Sequence, residues 1–140
     1  TALNAGHLQQ VKDAGASLVV SPGISVELLD AAKALGLTLL PGIASASELM
    51  LGLNHGLSHF KLFPASAING IGLAKALAGP FPEARFCCTG GITEADLPLY
   101  LNEPNIPSVG VSWLASRQAI AAGRWDEIRD AALKLKLPTR

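Results

Sequence analysis

The stretch that decides the fold is short and apolar: HFKLFP, at residues 59–64. It is flanked by turn-forming residues and is rich in aromatic side chains, which is typical of a buried β-strand. Five such runs start 20 to 25 residues apart: Ser17–Val20, Leu37–Leu40, His59–Phe63, Ala84–Cys88 and Ser108–Val111. That spacing fits one strand, one helix and two loops per unit.

The segments between the runs have helical patterns. They predict helices over Ala5–Ala14, Val26–Leu35, Glu48–Leu53, Ile71–Leu77 and Trp125–Leu135. Ser25 and Gly36 are cap candidates for the second helix, and Ser45 with Glu48 matches a capping box for the third. A further cap-like start lies at residues 93–96, and the last helix has an apolar face made of Ile128, Ala131, Ala132 and Leu135.

Strands that alternate with helices predict a parallel sheet with right-handed crossovers. Five such units form either an open doubly wound sheet or part of a (β/α)₈ barrel. A complete barrel needs about 200 to 250 residues, so a chain of 140 residues holds only part of one. No linker or low-complexity segment divides the chain, and residues 1–140 are interpreted as a single domain.

The overall composition excludes several classes of partner. The chain is 49% hydrophobic and 16% charged, with a net charge of +0 and no long basic stripe, which disfavours nucleic acid. No apolar stretch approaches the roughly 18 residues of a membrane span, and the first residues lack a signal-peptide pattern. The adjacent Cys87 and Cys88 have no metal-ligand spacing and are predicted to be buried, reduced thiols of a cytosolic protein.

Lys61, in the middle of the 59–64 stretch, is the leading candidate for chemistry. An ammonium group is costly to bury, so a buried strand favours the neutral amine. A neutral amine on a rigid strand is the nucleophile that forms Schiff bases with carbonyl substrates. The alternative interpretation is a lysine at the strand end that extends to water. Alternation along the strand would place His59 on the same face, and the sequence leaves that point open.

A second candidate site follows the later strands. In parallel α/β folds, functional groups collect beyond the carboxyl ends of the strands. Thr89-Gly90-Gly91 follows the fourth run, and Gly110 and Ser112 lie at the end of the fifth. Two glycines allow the backbone to approach an anion closely, which favours a phosphate site. The alternative is an ordinary Gly-Gly turn.

Other polar and aromatic residues are weaker candidates. Glu48 is explained by capping, and the three histidines lack metal-ligand spacing. Trp113 and Trp125 are predicted to be core residues, and Arg85 and Arg117 to be solvated. No carboxylate is evident as a partner for Lys61.

These segments together resemble one family, the 2-keto-3-deoxy-6-phosphogluconate (KDPG) aldolases, also called 4-hydroxy-2-oxoglutarate aldolases. The similarity extends over essentially the whole chain. It rests on ASLVVSPG at 16–23, LPGI at 40–43, SELM at 47–50, FKLFPA at 60–65, GPF at 79–81, RFCCTGGI at 85–92 and GVSWL at 110–114. Cys88 stands where the family commonly has proline, Leu62 where an aromatic residue is frequent, and Val111 where glycine is frequent.

The resemblance implies a class I aldolase on a (β/α)₈ TIM barrel, homotrimeric and cytoplasmic, without metal or other cofactor. It implies that KDPG is cleaved to pyruvate and glyceraldehyde 3-phosphate in the Entner–Doudoroff pathway. Lys61 would be the Schiff-base lysine. The implied substrate-binding residues are Thr1, Pro41, Phe63 and Thr89, and the implied phosphate-binding residues are Gly90, Gly91 and Ser112.

The resemblance also implies that about three βα units are missing before residue 1. Those units carry the family's acid/base glutamate and the arginine that holds the substrate carboxylate. Two alternatives to the KDPG aldolase stay open. One is a related aldolase for a 6-phosphogalactonate isomer or for 4-hydroxy-2-oxoglutarate, and the other is a non-catalytic, truncated phosphate-binding fragment.

Overall fold

The computed structural model describes residues 1–135. Its strands are β1 (Leu18–Val20), β2 (Thr38–Leu40), β3 (Gly42–Ile43), β4 (His59–Leu62), β5 (Arg85–Thr89) and β6 (Ser108–Gly110). Its helices are α1 (Ala5–Asp13), α2 (Val26–Leu35), α3 (Ala46–Asn54), α4 (Gly70–Ala78), α5 (Leu97–Leu101), α6 (Arg117–Ala121) and α7 (Trp125–Lys134). The protein is therefore an α/β protein in which strands and helices alternate, as the sequence predicts.

Every strand pairing is parallel. β1 pairs with β2, and β3, β4, β5 and β6 follow one another in a second ladder. Pro41 separates β2 from β3 because proline has no N–H to donate to a ladder. Hydrogen bonding continues across this break through the backbone carbonyls. The Leu40 carbonyl accepts from Ser21 N at 3.3 Å on one side, and the Pro41 carbonyl accepts from Lys61 N at 2.8 Å on the other. The strands consequently lie side by side in chain order.

The sheet buries one face against the helices. Phe60, Leu62, Phe86 and Cys88 are fully buried on that face, in a core that continues into α3, α4 and α5. A second cluster, centred on Leu8, Val19, Leu28 and Leu39, packs beneath α1 and α2. The opposite face is more accessible: Leu18, on the other side of β1 from Val19, is 58% exposed.

Local capping explains why the helices begin and end where they do. Ser25 Oγ accepts from Leu28 N at the start of α2, and Gly36 ends this helix with a left-handed φ of 66°. α2 therefore has the bounds that the sequence predicts. At α3, Glu48 N donates to the N-cap Ser45 Oγ, as in a capping box, while Glu48 Oε2 accepts at 2.7 Å from Ala44 N, one residue before the N-cap.

Several local predictions were wrong. α3 begins at Ala46 rather than Glu48, and the short β3 and α6 were not predicted. α5 begins at Leu97, because the Asp96 carboxylate bonds back to Thr93 and holds the preceding residues in a turn. On α7, Ala132 is exposed, and so is Trp125 at 61%, which is therefore not a core residue. No helix within residues 1–135 has the length and apolarity needed to cross a membrane.

Candidate active site

Lys61 lies on the accessible face of β4. Its neighbours Phe60 and Leu62 point into the core and are fully buried, whereas Lys61 is half-buried. The same alternation places His59 on the face of Lys61, which settles the point that the sequence left open. The Lys61 amine lies 4.4 Å from the centroid of the Phe63 ring. That distance is within the range of a cation–π contact, so the ring holds the amine over its face.

Thr89 ends β5, the strand next to Lys61. Cys87 is the register partner of Lys61, and Thr89 follows two residues later on the same face. Thr89 Oγ1 is buried and has no hydrogen-bond partner among residues 1–135. Buried hydroxyl groups are nearly always paired, so an unpaired one at the end of a parallel strand is a candidate ligand contact.

The two glycines after Thr89 take conformations that other residues rarely adopt. Gly90 has a φ of 101° and Gly91 a φ of 75°. A side chain would also collide here: a Cβ on Gly90 would lie 3.1 Å from the Phe63 ring, and one on Gly91 would lie 2.8 Å from Ser66 Cβ. Ser66 N donates to the Gly90 carbonyl at 3.0 Å. The Gly90–Gly91 loop is therefore packed against, and hydrogen-bonded to, the segment that follows β4.

A cavity of about 720 Å³ opens between the loops that follow β5 and β6. It is lined by residues 89–94 and 110–113, so the structure brings Thr89, Gly90, Gly91 and Ser112 together. Among residues 1–135, its lining includes no lysine or arginine, and Glu94 contributes the only carboxylate. Trp113 also lines the cavity, and its indole N–H donates to the Ile92 carbonyl at 3.0 Å. Trp113 also packs against the main core, as the sequence predicts. Its position directly after Ser112 was the signal that it would line the cavity as well.

Pro41 and Thr1 lie at different distances from this group. Pro41 is fully buried, and its carbonyl bonds to Lys61 N, which places it beside Lys61 in the sheet. Thr1 is exposed and is not adjacent to β4. Its neighbour Ala2 donates to the Val20 carbonyl at 3.0 Å, so the chain start lies along β1. Both β1 and the β2–β3 segment therefore lie between Thr1 and the Lys61 strand.

Two titratable groups close in sequence to the cavity lining have shifted pKa values. Burial, and secondly the charge of Cys87, raise the pKa of the Cys88 thiol from 9.0 to about 12. The hydroxyl and N–H of Thr93, which donate to Asp96 Oδ2 at 2.7 and 3.0 Å, lower the pKa of that carboxyl. Both cysteines are free, but Cys87 is half-buried on the Lys61 face, so the prediction of two buried thiols holds only for Cys88. No cluster of three metal-ligating side chains occurs within residues 1–135.

The other candidates have local roles. Glu48 caps α3, as predicted. Arg85 donates to the carbonyls of Pro82 and Ala84 and so points away from the cavity.

Comparison with known proteins identifies the family. The model of the family "KDPG and KHG aldolase" matches residues 1–131. The chain belongs to this family. It is 48% identical, over 132 residues, to the 2-dehydro-3-deoxy-phosphogluconate aldolase of Pseudoalteromonas atlantica, and the match covers 94% of this chain and 61% of that protein. It is 45% identical to the KHG/KDPG aldolase of Escherichia coli K12, with 94% and 62% covered.

Solved structures of the family are also similar. The KDPG aldolase of Legionella pneumophila, with pyruvate captured as a covalent carbinolamine, matches with a TM-score of 0.91 and 42% identity, covering 96% of this chain and 65% of that one. The aldolase of Zymomonas mobilis with 3-phosphoglycerate has a TM-score of 0.84 and 42% identity, with 96% and 65% covered. The chain thus spans about three-fifths of the length of the curated relatives it matches.

Proposed function

We propose that the protein is a Schiff-base aldolase that cleaves KDPG to pyruvate and glyceraldehyde 3-phosphate, the reaction of the Entner–Doudoroff pathway. The observation that carries the proposal is the position of the Lys61 amine, over the Phe63 ring and on the same face as the unpaired Thr89 hydroxyl. The Legionella relative holds pyruvate as a covalent carbinolamine, and because a carbinolamine forms when an amine adds to a ketone, that adduct supports an amine nucleophile here.

The reaction assigns a defined step to Lys61. Its amine adds to the C2 carbonyl and loses water to give an iminium. The C3–C4 bond then breaks, its electron pair moves into the iminium to give an enamine, and a base takes the proton of the C4 hydroxyl as the aldehyde leaves. The enamine is protonated at C3, and water hydrolyses the resulting imine to release pyruvate and the free amine.

The remaining site residues bind and orient the substrate. Phe63 packs beside the pyruvyl group, Thr89 donates to its carbonyl or carboxylate oxygens, and Pro41 forms the wall next to Lys61. Thr1 is not adjacent to β4, so it would contribute to this site only as the last residue of a barrel strand that precedes β1. The backbone of Gly90 and Gly91, with the Ser112 hydroxyl, binds the phosphate in the 720 Å³ cavity.

We infer that residues 1–140 are the C-terminal part of a single (β/α)₈ barrel, with about three βα units preceding it. Two features support this inference. The chain start lies beside β1 as a strand end would, and β6 pairs, among residues 1–135, only with β5. Strands placed between these two edges would pair with both and would cover the accessible face around Leu18.

The acid/base glutamate and the carboxylate-binding arginine belong, in this proposal, to the preceding units. The described residues around Lys61 contribute no carboxylate to that face. The assembled protein is proposed to be a homotrimer of the cytoplasm, acting on small molecules without metal or other cofactor.

A second substrate, unphosphorylated 4-hydroxy-2-oxoglutarate, is favoured by one observation. Within the part of the chain that the structure describes, the cavity that would take the phosphate is lined by Glu94 and by no basic side chain. The negative charge of Glu94 repels a phosphate dianion. It should therefore weaken the binding of KDPG and reduce any preference of the enzyme for KDPG over 4-hydroxy-2-oxoglutarate.

Pyruvate release from each substrate tests the proposal. The chain, together with a form extended through its own upstream coding sequence, is supplied with KDPG or with 4-hydroxy-2-oxoglutarate. Lys61→Ala should abolish release, whereas Lys33→Ala, which changes an exposed lysine of α2, should leave it unchanged. If the folded, extended protein releases pyruvate from neither substrate, the proposal is wrong.

A further inference from the structure

One side chain bridges the two loops that form the proposed phosphate cradle. Trp113 directly follows Ser112 in the loop after β6, and its indole N–H donates to the carbonyl of Ile92, which directly follows Gly91 in the loop after β5. Within residues 1–135, no other side-chain hydrogen bond joins these loops. The Trp113 ring is half-buried and packs against the main core. This packing restricts the orientation of the indole that donates the hydrogen bond.

We propose that Trp113 is a positioning residue for phosphate binding, an inference that rests on the proposed function. The bond from Trp113 fixes the spacing between the Gly90–Gly91 backbone and the Ser112 hydroxyl. It acts on the substrate only through these groups.

This spacing matters because residues 1–135 contribute no positive side chain to the cradle. A lysine or arginine attracts an anion over a range of positions, whereas neutral N–H and O–H donors act only at hydrogen-bond distance and in good alignment. Gly90 and Gly91 have many alternative conformations, and holding them in one of them costs conformational entropy. A bond formed before the anion arrives lowers that cost at the moment of binding, which is the advantage of preorganised donors.

Trp113→Phe separates this role from simple packing. Phenylalanine retains much of the apolar ring but cannot donate to the Ile92 carbonyl. Loss of one neutral hydrogen bond corresponds to about a three- to tenfold change in an equilibrium constant. The matched control is Trp125→Phe, the same substitution at an exposed tryptophan outside the cavity.

The experiment measures the dissociation constant of glycerol 3-phosphate by calorimetry, with glycerol as the unphosphorylated control ligand. Trp113→Phe should raise this constant about three- to tenfold, while Trp125→Phe leaves it unchanged. Borohydride trapping of pyruvate on Lys61 should proceed equally in both variants. An unchanged constant in Trp113→Phe overturns the inference, and so does a wild-type chain that fails to bind glycerol 3-phosphate.

These readouts keep the two proposals separate. If the folded, upstream-extended protein binds glycerol 3-phosphate but traps no pyruvate, the aldolase proposal fails, while the effect of Trp113→Phe still decides the role of Trp113. If Trp113→Phe does not fold, the unmodified chain supplies the test. Its Trp113 indole proton should exchange with solvent more slowly than that of Trp125, and glycerol 3-phosphate should slow it further. Equal exchange of the two indole protons would overturn the inference.

Discussion

Gly110 lies so close to Thr89 that a Cβ at position 110 would come within 2.7 Å of Thr89 Cγ2. The two residues are register partners on β6 and β5. Because Cγ2 and the unpaired hydroxyl of Thr89 branch from the same carbon, the rotamer that places the hydroxyl also places Cγ2 against position 110. Glycine at 110 leaves the room that this rotamer needs.

Gly110→Ala should therefore destabilise the protein. Overpacking of this kind costs about 1–3 kcal/mol of unfolding free energy, because the Thr89 side chain or the β6 backbone must shift. Urea unfolding measures the change. Gly79→Ala is the control, since position 79 has a helical φ of −65° and a Cβ added there would have no neighbour within 4 Å. Equal unfolding midpoints for the two variants would contradict the packing described here.

The two faces of β4 should respond differently to truncation. Phe60→Ala removes a fully buried ring and should cost about 3–5 kcal/mol of unfolding free energy. Lys61→Ala, one residue away on the accessible face, should cost less than about 1 kcal/mol while removing the proposed nucleophile. Urea unfolding of both variants checks this, and a large loss of stability in Lys61→Ala would mean that Lys61 is chiefly a structural residue.

Sequence reasoning recovered the elements whose signals are local. The five apolar runs and the caps at Ser25, Gly36 and Ser45 were sufficient to predict the parallel α/β arrangement, because each signal involves residues within one turn or one strand. It failed where distant contacts decide the structure. β3 exists because its neighbour β4 supplies a partner for residues 42 and 43, although Pro41-Gly42 has the composition of a turn.

The candidate site shows the same division. Lys61 and the Thr89-Gly90-Gly91 motif could be selected from the sequence, because their residue types are unusual for a strand and a strand end. The Lys61–Phe63 contact, the unpaired Thr89 hydroxyl and the Trp113–Ile92 bond could not. Each depends on side-chain directions or on loops that are distant in sequence. Trp125 was wrongly predicted to be a core residue. The sequence around an apolar side chain does not show whether that side chain is buried or exposed.

The adjacent thiols should differ in reactivity. The thiolate is the reactive species, and Cys88 is buried with a pKa raised to about 12, so iodoacetamide at pH 8 should modify native Cys87 well before Cys88. Peptide mass mapping over time measures both rates. In urea the two rates should become similar, and rapid labelling of native Cys88 would contradict its burial.

The same shift predicts an alkaline loss of stability. The pKa of Cys88 is higher in the folded than in the unfolded chain, so its contribution is fully present below pH 9.0 and is lost as the pH rises toward 12. The unfolding free energy of the wild type should therefore fall more steeply above pH 9 than that of Cys88→Ala. Parallel curves would show that Cys88 does not titrate as described.

The most direct test of the central claim is covalent trapping of pyruvate. The chain and its upstream-extended form are incubated with pyruvate and borohydride, and the modified peptide is located by mass spectrometry, with Lys61→Ala and Lys33→Ala run in parallel. We predict a reduced pyruvyl adduct on Lys61 that is lost in Lys61→Ala and retained in Lys33→Ala. An adduct on a different lysine, or none on the folded, extended protein, would contradict the assignment of Lys61 as the Schiff-base nucleophile.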